Sequence, residues 1–233
     1  MDNVFYTHPG NIKGGRLELV DQEARHAAKV LRFNIGDKLF ASDGKGKLYT
    51  TQVTSITKSS VIADIQDSET EPEPEIKKVL GFGAIKKRDR LEFAVEKAVE
   101  LDAWEICVFN GDHSERSKIN QDRLQSIALS AFKQSKRRWL PEIIYKNSLR
   151  EVMDHYTGYH PIMAHVESEV NKSSKLTTQN NLMLVGPEGG FSDREVAFAK
   201  EKGAKFISLG KNRLRAETAV TATLSQYLFT EYK

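Results

Sequence analysis

The sequence predicts two domains of different class: a small β-rich domain, followed by a larger α/β domain with a parallel sheet. Three observations lead to this prediction. Short runs rich in β-branched and aromatic residues fill the first 70 residues, a segment of prolines and glutamates follows, and apolar runs then alternate with longer helical patterns. The chain of 233 residues, 39% of them hydrophobic, has enough apolar material to give such domains their cores.

The β-rich part is predicted to form a small barrel, because its strand-like runs are short and separated by turn signals. Asp43–Gly46 has the composition of a hairpin turn between two of these runs. A single helix is predicted over Glu23–Leu31, where Ala27, Val30 and Leu31 share one face. The strand-like runs cover residues 38–41, 48–53 and 60–65.

The boundary between the domains is predicted from Ser68–Glu75, which has two prolines, four glutamates and no apolar residue. Such a segment has nothing to bury and is typical of a linker. We therefore expect a first domain over residues 1–70, a linker over 71–76 and a second domain over 77–233.

Beyond the linker, the alternation of strand and helix patterns predicts a parallel sheet that is covered on both faces. Ser192–Glu195 has the residues of a capping box, which marks the start of one helix. Strands are predicted at residues 78–84, 105–109, 161–166, 182–185 and 205–209. Helices are predicted at residues 89–101, 121–136, 192–202 and 217–229.

Composition excludes several classes of protein. A single cysteine excludes a disulfide framework and any cysteine-based zinc site, and the six histidines show no metal-ligand spacing. No stretch approaches the roughly 18 apolar residues of a membrane span, and the first residues do not have the pattern of a signal peptide. We therefore expect a cytoplasmic protein without a metal centre.

Positive charge is concentrated in one stretch of a chain whose net charge is only +3. Residues 1–72 hold 9 basic and 10 acidic residues, whereas residues 110–150 hold 9 basic and 4 acidic ones. Three consecutive cations, Lys136–Arg138, precede Trp139 and suit phosphate contacts with RNA, with the indole available for stacking. A solvated helix end is an open alternative, since cations are favoured there in any case.

Two glycine-bearing segments near the C-terminus form the candidate ligand site. In Leu184–Ser192 an apolar strand runs into a loop with three glycines, and in Ser208–Ala219 a second strand ends at Gly210 before a helix. Ligands of open α/β sheets bind beyond the carboxyl ends of strands, and glycines let a ligand approach the backbone. Neither segment contains a P-loop or a GxGxxG fingerprint. A tight turn without a ligand remains an alternative, as does a purely helix-stabilising role for Glu217.

Together these segments resemble the RsmE family of 16S ribosomal RNA uracil-N3 methyltransferases, within the SPOUT superfamily. The resemblance covers nearly the whole chain. It departs from the family pattern at Asn3, and at Arg88 and Asp102, where glycine is usual. The resemblance rests most specifically on Gly186–Ser192 and Leu209–Ala219, and also on Glu23–Arg32, Ile35–Asp37, Asp43–Gly46 with Tyr49, Lys87–Glu92, Glu96–Leu101, Ser114–Ser117 and Gln134–Ser135.

The resemblance implies a SPOUT-type trefoil-knotted α/β domain with a parallel sheet, preceded by a small PUA-like β-barrel that helps to hold RNA. It implies S-adenosylmethionine-dependent methylation of N3 of a specific uridine in 16S ribosomal RNA of the small ribosomal subunit. The family acts as a homodimer and binds S-adenosylmethionine in the knot, mainly through backbone groups.

Candidate residues follow from this resemblance and from the charges that flank the glycine-bearing segments. Glu217 is the candidate base or base-orienting group, Arg215 or Arg213 the candidate charge stabiliser, and Glu188 an alternative carboxylate. The expected cofactor contacts are Val185, Gly186, Pro187, Gly190, Leu209, Gly210, Leu214 and Thr218. The expected RNA contacts are Lys29, Arg32, Arg116, Gln134, Lys136, Arg137 and Arg138.

Two alternative functions remain open. Another SPOUT enzyme would methylate a ribose 2′-OH or a different base, which the Leu209–Ala219 motif and the PUA-like front argue against. A non-catalytic RNA-binding or assembly factor would keep the fold without the activity, and the intact Gly186–Gly190 and Leu209–Thr218 segments argue against it.

Overall fold

The computed structural model describes residues 3–115, 118–165 and 179–231. It divides into two compact units. The front unit contains the described residues up to Glu73 together with Leu129–Leu140, and the back unit contains Pro74–Ala128 and the described residues from Pro141 onward. Leu129–Leu140 thus groups with the front unit, although it follows the linker in the chain.

The front unit is built on a six-stranded sheet with the order β1-β4-β5-β6-β3-β2. β1 is parallel to β4 and the other neighbours are antiparallel. Two register shifts where β5 pairs with β6 bend these long strands, as β-bulges do. The strands are β1 (Val4–Tyr6), β2 (Ile12–Lys13), β3 (Arg16–Val20), β4 (Lys38–Ser42), β5 (Lys47–Ile56) and β6 (Ser60–Thr70).

The predicted helix over Glu23–Leu31 is in fact two pieces, a short helix α1 (Asp21–Arg25) and a π-helical turn over His26–Val30. The wider turn is closed by the amide of Leu31 donating to the carbonyl of His26. A π turn takes more residues per turn than an α-helix, so the predicted apolar face is not kept. Ala27 is buried but Val30 is 67% exposed, so these residues do not share one face as the sequence predicts.

The segment from which the boundary was predicted, Ser68–Glu75, begins inside a strand. Ser68–Thr70 belong to β6 and pair with Lys47–Tyr49 of β5. Backbone hydrogen bonds hold this part of the ladder, so exposed polar side chains do not prevent it from being a strand.

The segment that ends at Leu140 is tied to the hairpin after β4. The amide of Gly46 donates to the carbonyl of Arg138 (2.9 Å), and the amide of Leu140 donates to the carbonyl of Gly44 (3.0 Å). The indole Nε1 of Trp139 donates to the carbonyls of Glu71 and Pro72, both at 3.2 Å. Trp139 therefore holds the end of β6 against the hairpin.

The back unit contains a six-stranded sheet with the order β12-β10-β11-β7-β8-β9, and all its strand pairs are parallel. Every residue of β7 and β11 is buried, as expected for a parallel sheet covered on both faces. The strands are β7 (Lys78–Gly83), β8 (Glu105–Phe109), β9 (Glu142–Lys146), β10 (His160–Ala164), β11 (Asn181–Val185) and β12 (Lys205–Ile207). The helices after the linker are α2 (Arg88–Glu100), α3 (Gln121–Ser135), α4 (Leu149–His155), α5 (Asp193–Glu201) and α6 (Ala216–Glu231). The part of α3 from Leu129 onward is counted with the front unit.

The predicted parallel sheet is confirmed, and the predicted bounds of β8 are confirmed to the residue. β9 and α4 were missed, because a half-exposed edge strand and a seven-residue helix carry little periodic signal. β12 ends two residues before the predicted Leu209. The predicted strand end at Val166 lies outside the described residues. Asp102 has a φ of 68°, a left-handed conformation that glycine adopts more easily, in keeping with the glycine that the resemblance leads us to expect there.

Within the described parts of the chain, no helix has the length and apolar content needed to cross a bilayer.

Replacing Gly46 by alanine tests the packing of the hairpin. Gly46 has a φ of +90°, and a Cβ there would lie 2.6 Å from Cζ2 of Trp139 and 2.7 Å from the carbonyl oxygen of Glu71. Gly14→Ala is the matched control, because Gly14 also has a positive φ (+56°) but nothing within 4 Å of an added Cβ. In urea unfolding we expect the control to lose about 1 kcal/mol and Gly46→Ala about 1–3 kcal/mol more. Equal losses would contradict the close packing.

Candidate functional site

The two glycine-bearing segments meet at the carboxyl edge of the back-unit sheet, around a cavity of about 1330 Å³. The first is the glycine-rich loop, Gly186–Ser192, which joins β11 to α5. The second is the arginine loop, Ser208–Arg215, which joins β12 to α6. Parallel strands of one sheet end at the same edge, so their loops come together as the sequence predicts.

The glycine-rich loop folds back on itself at backbone distance. A Cβ on Gly186 would lie 3.0 Å from the carbonyl carbon of Gly190 and 3.1 Å from the amide nitrogen of Phe191. Gly190 has a φ of +76°, and its amide donates to the carbonyl of Pro187 (2.9 Å). The two glycines are therefore needed for the turn itself, and they leave peptide groups without side-chain cover beside the cavity.

Residues after β8 hold the glycine-rich loop from outside. Asp112 accepts hydrogen bonds from the hydroxyl of Ser192 and, at two positions, from the guanidinium of Arg194. Ser192 and Glu195 form the predicted capping box, and Glu195 also accepts from the amide of Asp112 (3.1 Å). The Arg194 hydrogen bonds, and then that of Ser192, hold the pKa of Asp112 below its ordinary 3.8. The loop is thus fixed by an ionised carboxylate at neutral pH.

Arg213 connects the two loops. One terminal nitrogen of its guanidinium donates to the carbonyl of Glu188 (3.1 Å), so the arginine loop is tied to the backbone of the glycine-rich loop. The Glu188 carboxylate in turn accepts from the amide of Lys86 (2.9 Å), just beyond β7. Both Arg213 and Glu188 lie on the cavity wall.

Most of the expected cofactor contacts line this cavity. Thr218 does not line it, since it lies on the exposed side of the first turn of α6. The residues that do are Val185, Gly186, Pro187, Gly190, Leu209, Gly210 and Leu214.

The candidate catalytic residues divide into two groups. Arg213, Arg215 and Glu188 line the cavity, and Arg215 is exposed. Glu217 is buried and lies behind the wall, where its Oε1 is 3.5 Å from Nε of Arg90. The structure thus places Glu217 where it can orient another side chain, rather than where it meets a ligand directly.

Sequence reasoning missed Arg90 as a site residue. It belongs to the first turn of α2, lines the cavity and is the ion-pair partner of Glu217. The sequence does contain one indication. An arginine in the first turn of a helix opposes the helix dipole, so helix stability alone does not favour an arginine there.

The expected RNA contacts that the structure describes all belong to the front unit. Lys29, Arg32, Gln134 and Lys136 are exposed or half-exposed, and Arg137 is half-buried. The guanidinium of Arg138 is paired with Glu69, which leaves it less available to a phosphate. Trp139 is engaged with the β6 end, which favours a structural role over base stacking. Arg116 lies outside the described residues.

The geometry of the residues that the structure describes also bears on metal centres and reactive thiols. In the described ranges, no group of three or more histidine, cysteine, aspartate or glutamate side chains is arranged to hold a metal ion. Burial in β8 is the main cause that raises the pKa of the Cys107 thiol to about 12, so this cysteine is protonated at neutral pH.

Comparison with known proteins points to one family. The family model described as an RNA methyltransferase domain matches residues 72–228, and the one described as an RNA methyltransferase PUA domain matches residues 19–66. Ribosomal RNA small subunit methyltransferase E of Mycobacterium bovis is 30% identical over 227 residues, with 90% of this chain and 85% of the relative covered.

Two solved structures share the whole fold. A probable rRNA-methyltransferase from Porphyromonas gingivalis is 31% identical, with a TM-score of 0.87 and 99% and 100% of the two chains covered. Ribosomal RNA small subunit methyltransferase E from Neisseria gonorrhoeae, solved with S-adenosyl methionine bound, is 28% identical, with a TM-score of 0.85 and 99% and 98% covered. The back unit therefore has a SPOUT-type α/β fold, and the front unit is PUA-like.

Replacing Asp112 by asparagine tests the support of the glycine-rich loop. We expect the free energy of unfolding at pH 7 to fall by about 1 kcal/mol, because a charge-assisted pair of hydrogen bonds to Arg194 is weakened. A lowered pKa adds stability above the ordinary value of 3.8, and this is lost as the pH falls through the lower folded-state value. Wild type and variant should therefore converge in acid. Asp154→Asn, which breaks an exposed ion pair with Lys202, is the control with a smaller effect.

Proposed function

The chain belongs to the ribosomal RNA small subunit methyltransferase E family of RNA methyltransferases, and from this premise we propose that it methylates N3 of a uridine in 16S ribosomal RNA, with S-adenosylmethionine as the methyl donor. One observation carries the proposal: the cavity between the glycine-rich and arginine loops combines bare backbone with arginine side chains. The expected cytoplasmic location goes with this substrate.

The cavity fits S-adenosylmethionine in its chemistry. Peptide groups around Gly186, Gly190 and Gly210 can bond the polar atoms of the adenosyl group, and Leu209 and Leu214 offer apolar contact to the adenine. The relative from Neisseria gonorrhoeae was solved with this molecule bound. When bound, its sulfonium centre supplies an electrophilic methyl group.

The residues of the chain then have to prepare the uracil. N3 carries a proton and faces the pairing partner of the base, so the uridine must be unpaired or flipped out. As the N3–H bond breaks, negative charge spreads onto O2 and O4 and needs nearby donors. The N3 electron pair forms the new bond to the methyl carbon, and the carbon–sulfur electron pair stays on sulfur.

Glu188 is the better placed of the two candidate bases. Its carboxylate is half-buried on the cavity wall and is held by the amide of Lys86, whereas that of Glu217 lies behind the wall. We assign Glu188 as the acceptor of the N3 proton and Glu217 as an orienting group. Arg215 has its side chain free to approach the imide oxygens, while Arg213 is committed to the Glu188 carbonyl.

A homodimer is part of the proposal, as the family resemblance implies. α6 supports it, because its apolar residues are spread around the helix rather than gathered on one face. Among the described elements α6 packs mainly on α2 and β11, which leaves apolar residues of its other sides for a second copy of the chain.

Nucleoside analysis tests the proposed reaction. Unmodified small ribosomal subunits incubated with the protein and labelled S-adenosylmethionine should yield 3-methyluridine. Glu188→Gln keeps an acceptor for the Lys86 amide but removes the base, so we expect its rate to fall by about 10²–10⁴-fold with cofactor affinity retained. Label on a ribose or another base would contradict the proposed substrate atom. No cofactor binding by the wild type would contradict an enzymatic role.

Salt dependence tests the RNA surface of the front unit. Lys29 and Arg32 lie at its surface. The logarithm of the RNA-binding constant falls linearly with the logarithm of the salt concentration, and removing one phosphate contact should make this salt slope shallower by roughly one unit. We expect Lys29→Ala with Arg32→Ala to lower the slope by about two units. The exposed pair Lys13→Ala with Lys58→Ala removes the same charge elsewhere in the front unit and should change the slope less. Equal slopes for the two double variants would show that Lys29 and Arg32 contact no phosphate.

A further inference from the structure

Arg90 has no role in the mechanism described so far, although it is the ion-pair partner of Glu217, the proposed orienting group. Both belong to the first turn of a helix, Arg90 in α2 and Glu217 in α6, and these helices pack against each other. The carboxylate suits a helix start, but the guanidinium does not, because a cation there opposes the dipole. Helix stability therefore does not explain why an arginine occupies this position.

Among the described residues, Glu217 has one ion-pair partner, which is Arg90. Its side chain is 11% exposed, and its Oε1 lies 3.5 Å from Nε of Arg90. Among the residues that the structure describes, the buried Oε2 has no hydrogen-bond partner at all. Burying a carboxylate that makes no other hydrogen bond costs free energy. We therefore take the ion pair with Arg90 to be the reason that Glu217 occupies this position.

Arg90 meets Glu217 through Nε, which leaves the two terminal nitrogens of the guanidinium. Within the described parts of the chain, no other side chain is paired with them. The residue lines the cavity and its side chain is only 23% exposed, so these donors belong to a shielded part of the wall. A hydrogen bond is stronger in such a place than in water, because the local dielectric is low.

We propose that Arg90, oriented by Glu217, is a catalytic residue whose guanidinium donates to an imide oxygen of the target uracil as N3 loses its proton. This inference rests on the proposed function. The N3 proton passes to Glu188, and the charge it leaves on O2 and O4 is met by a fixed cation. Electrostatic stabilisation of this kind is effective when the donor is already in place before the charge develops.

With its guanidinium at O4, Arg90 would also favour uracil over cytosine. Deprotonation of the uracil imide puts negative charge on an oxygen that accepts from a guanidinium. Cytosine has no N3 proton to lose, and at C4 it carries an amino donor in place of O4, which would face the guanidinium donors and leave them unpaired.

A substrate of altered acidity distinguishes this role from a structural one. We would compare RNA substrates with uridine or 5-fluorouridine at the target position, because fluorine makes the N3–H more acidic. With uridine, Arg90→Met should lower the rate by about 10²–10³-fold, and with 5-fluorouridine the loss should be at least about tenfold smaller. Arg90→Lys, which keeps the charge, should lie between Met and wild type on both substrates. Affinity for S-adenosylmethionine should stay unchanged in both variants.

Glu217→Gln gives an independent measurement if Arg90→Met does not fold. The amide keeps the shape of the side chain but no longer holds the guanidinium by charge, so we expect a smaller loss that 5-fluorouridine again reduces. Equal losses on the two substrates, no loss, or a loss explained by weaker cofactor binding would overturn the role of Arg90. A wild type that does not methylate uridine N3 would overturn the proposed function instead, and the Arg90 assignment would fall with it.

Discussion

The close approach of Gly83 and Pro187 is the constraint on which the rest of the site depends. A Cβ on Gly83 would lie 2.4 Å from Cδ of Pro187, so the end of β7 and the start of the glycine-rich loop touch with no room for a side chain. Further along the same loop, a Cβ on Gly189 would lie 2.7 Å from Cβ of His113. The chain after three neighbouring strands is therefore closely packed where these two glycines have no side chain, and this packing fixes the wall of the cavity.

Two arginines of this wall have different partners. Arg213 is held by the Glu188 carbonyl between the loops, and Arg90 by Glu217 where α2 packs on α6. Arg194 does not line the cavity and is held by the Asp112 carboxylate behind the glycine-rich loop. The backbone sets the shape of the cavity, and the arginines give it a positive electrostatic potential. This arrangement suits methyl transfer from a cationic methyl donor to a uracil that becomes an anion. The charges of the arginines are in place before the bonds of the uracil change.

What the sequence could predict was local. The strand at 105–109, the capping box at Ser192 and the two glycine-bearing segments all depend on residues next to one another in the chain, and the structure confirms them. The sequence marks Arg90 only as a cation at an unfavourable helix start, and its partner Glu217 is distant in the chain and is brought near by the packing of α2 on α6. The π turn after α1 was hidden for a related reason: the apolar spacing fits an α-helix, and the tertiary structure overrides it.

The division of the chain between its two units has a consequence for how the protein is made. The front unit needs Leu129–Leu140, whose Trp139 holds the end of β6 and whose backbone pairs with the hairpin at Gly44 and Gly46. Translation adds about 5–20 residues per second, so the ribosome completes Ser60–Thr70 several seconds before it delivers this segment. During that interval the hairpin at Gly44 and Gly46 lacks the segment that pairs with it in the folded front unit. Part of the back unit, including α2, has already emerged by the time the front unit can close.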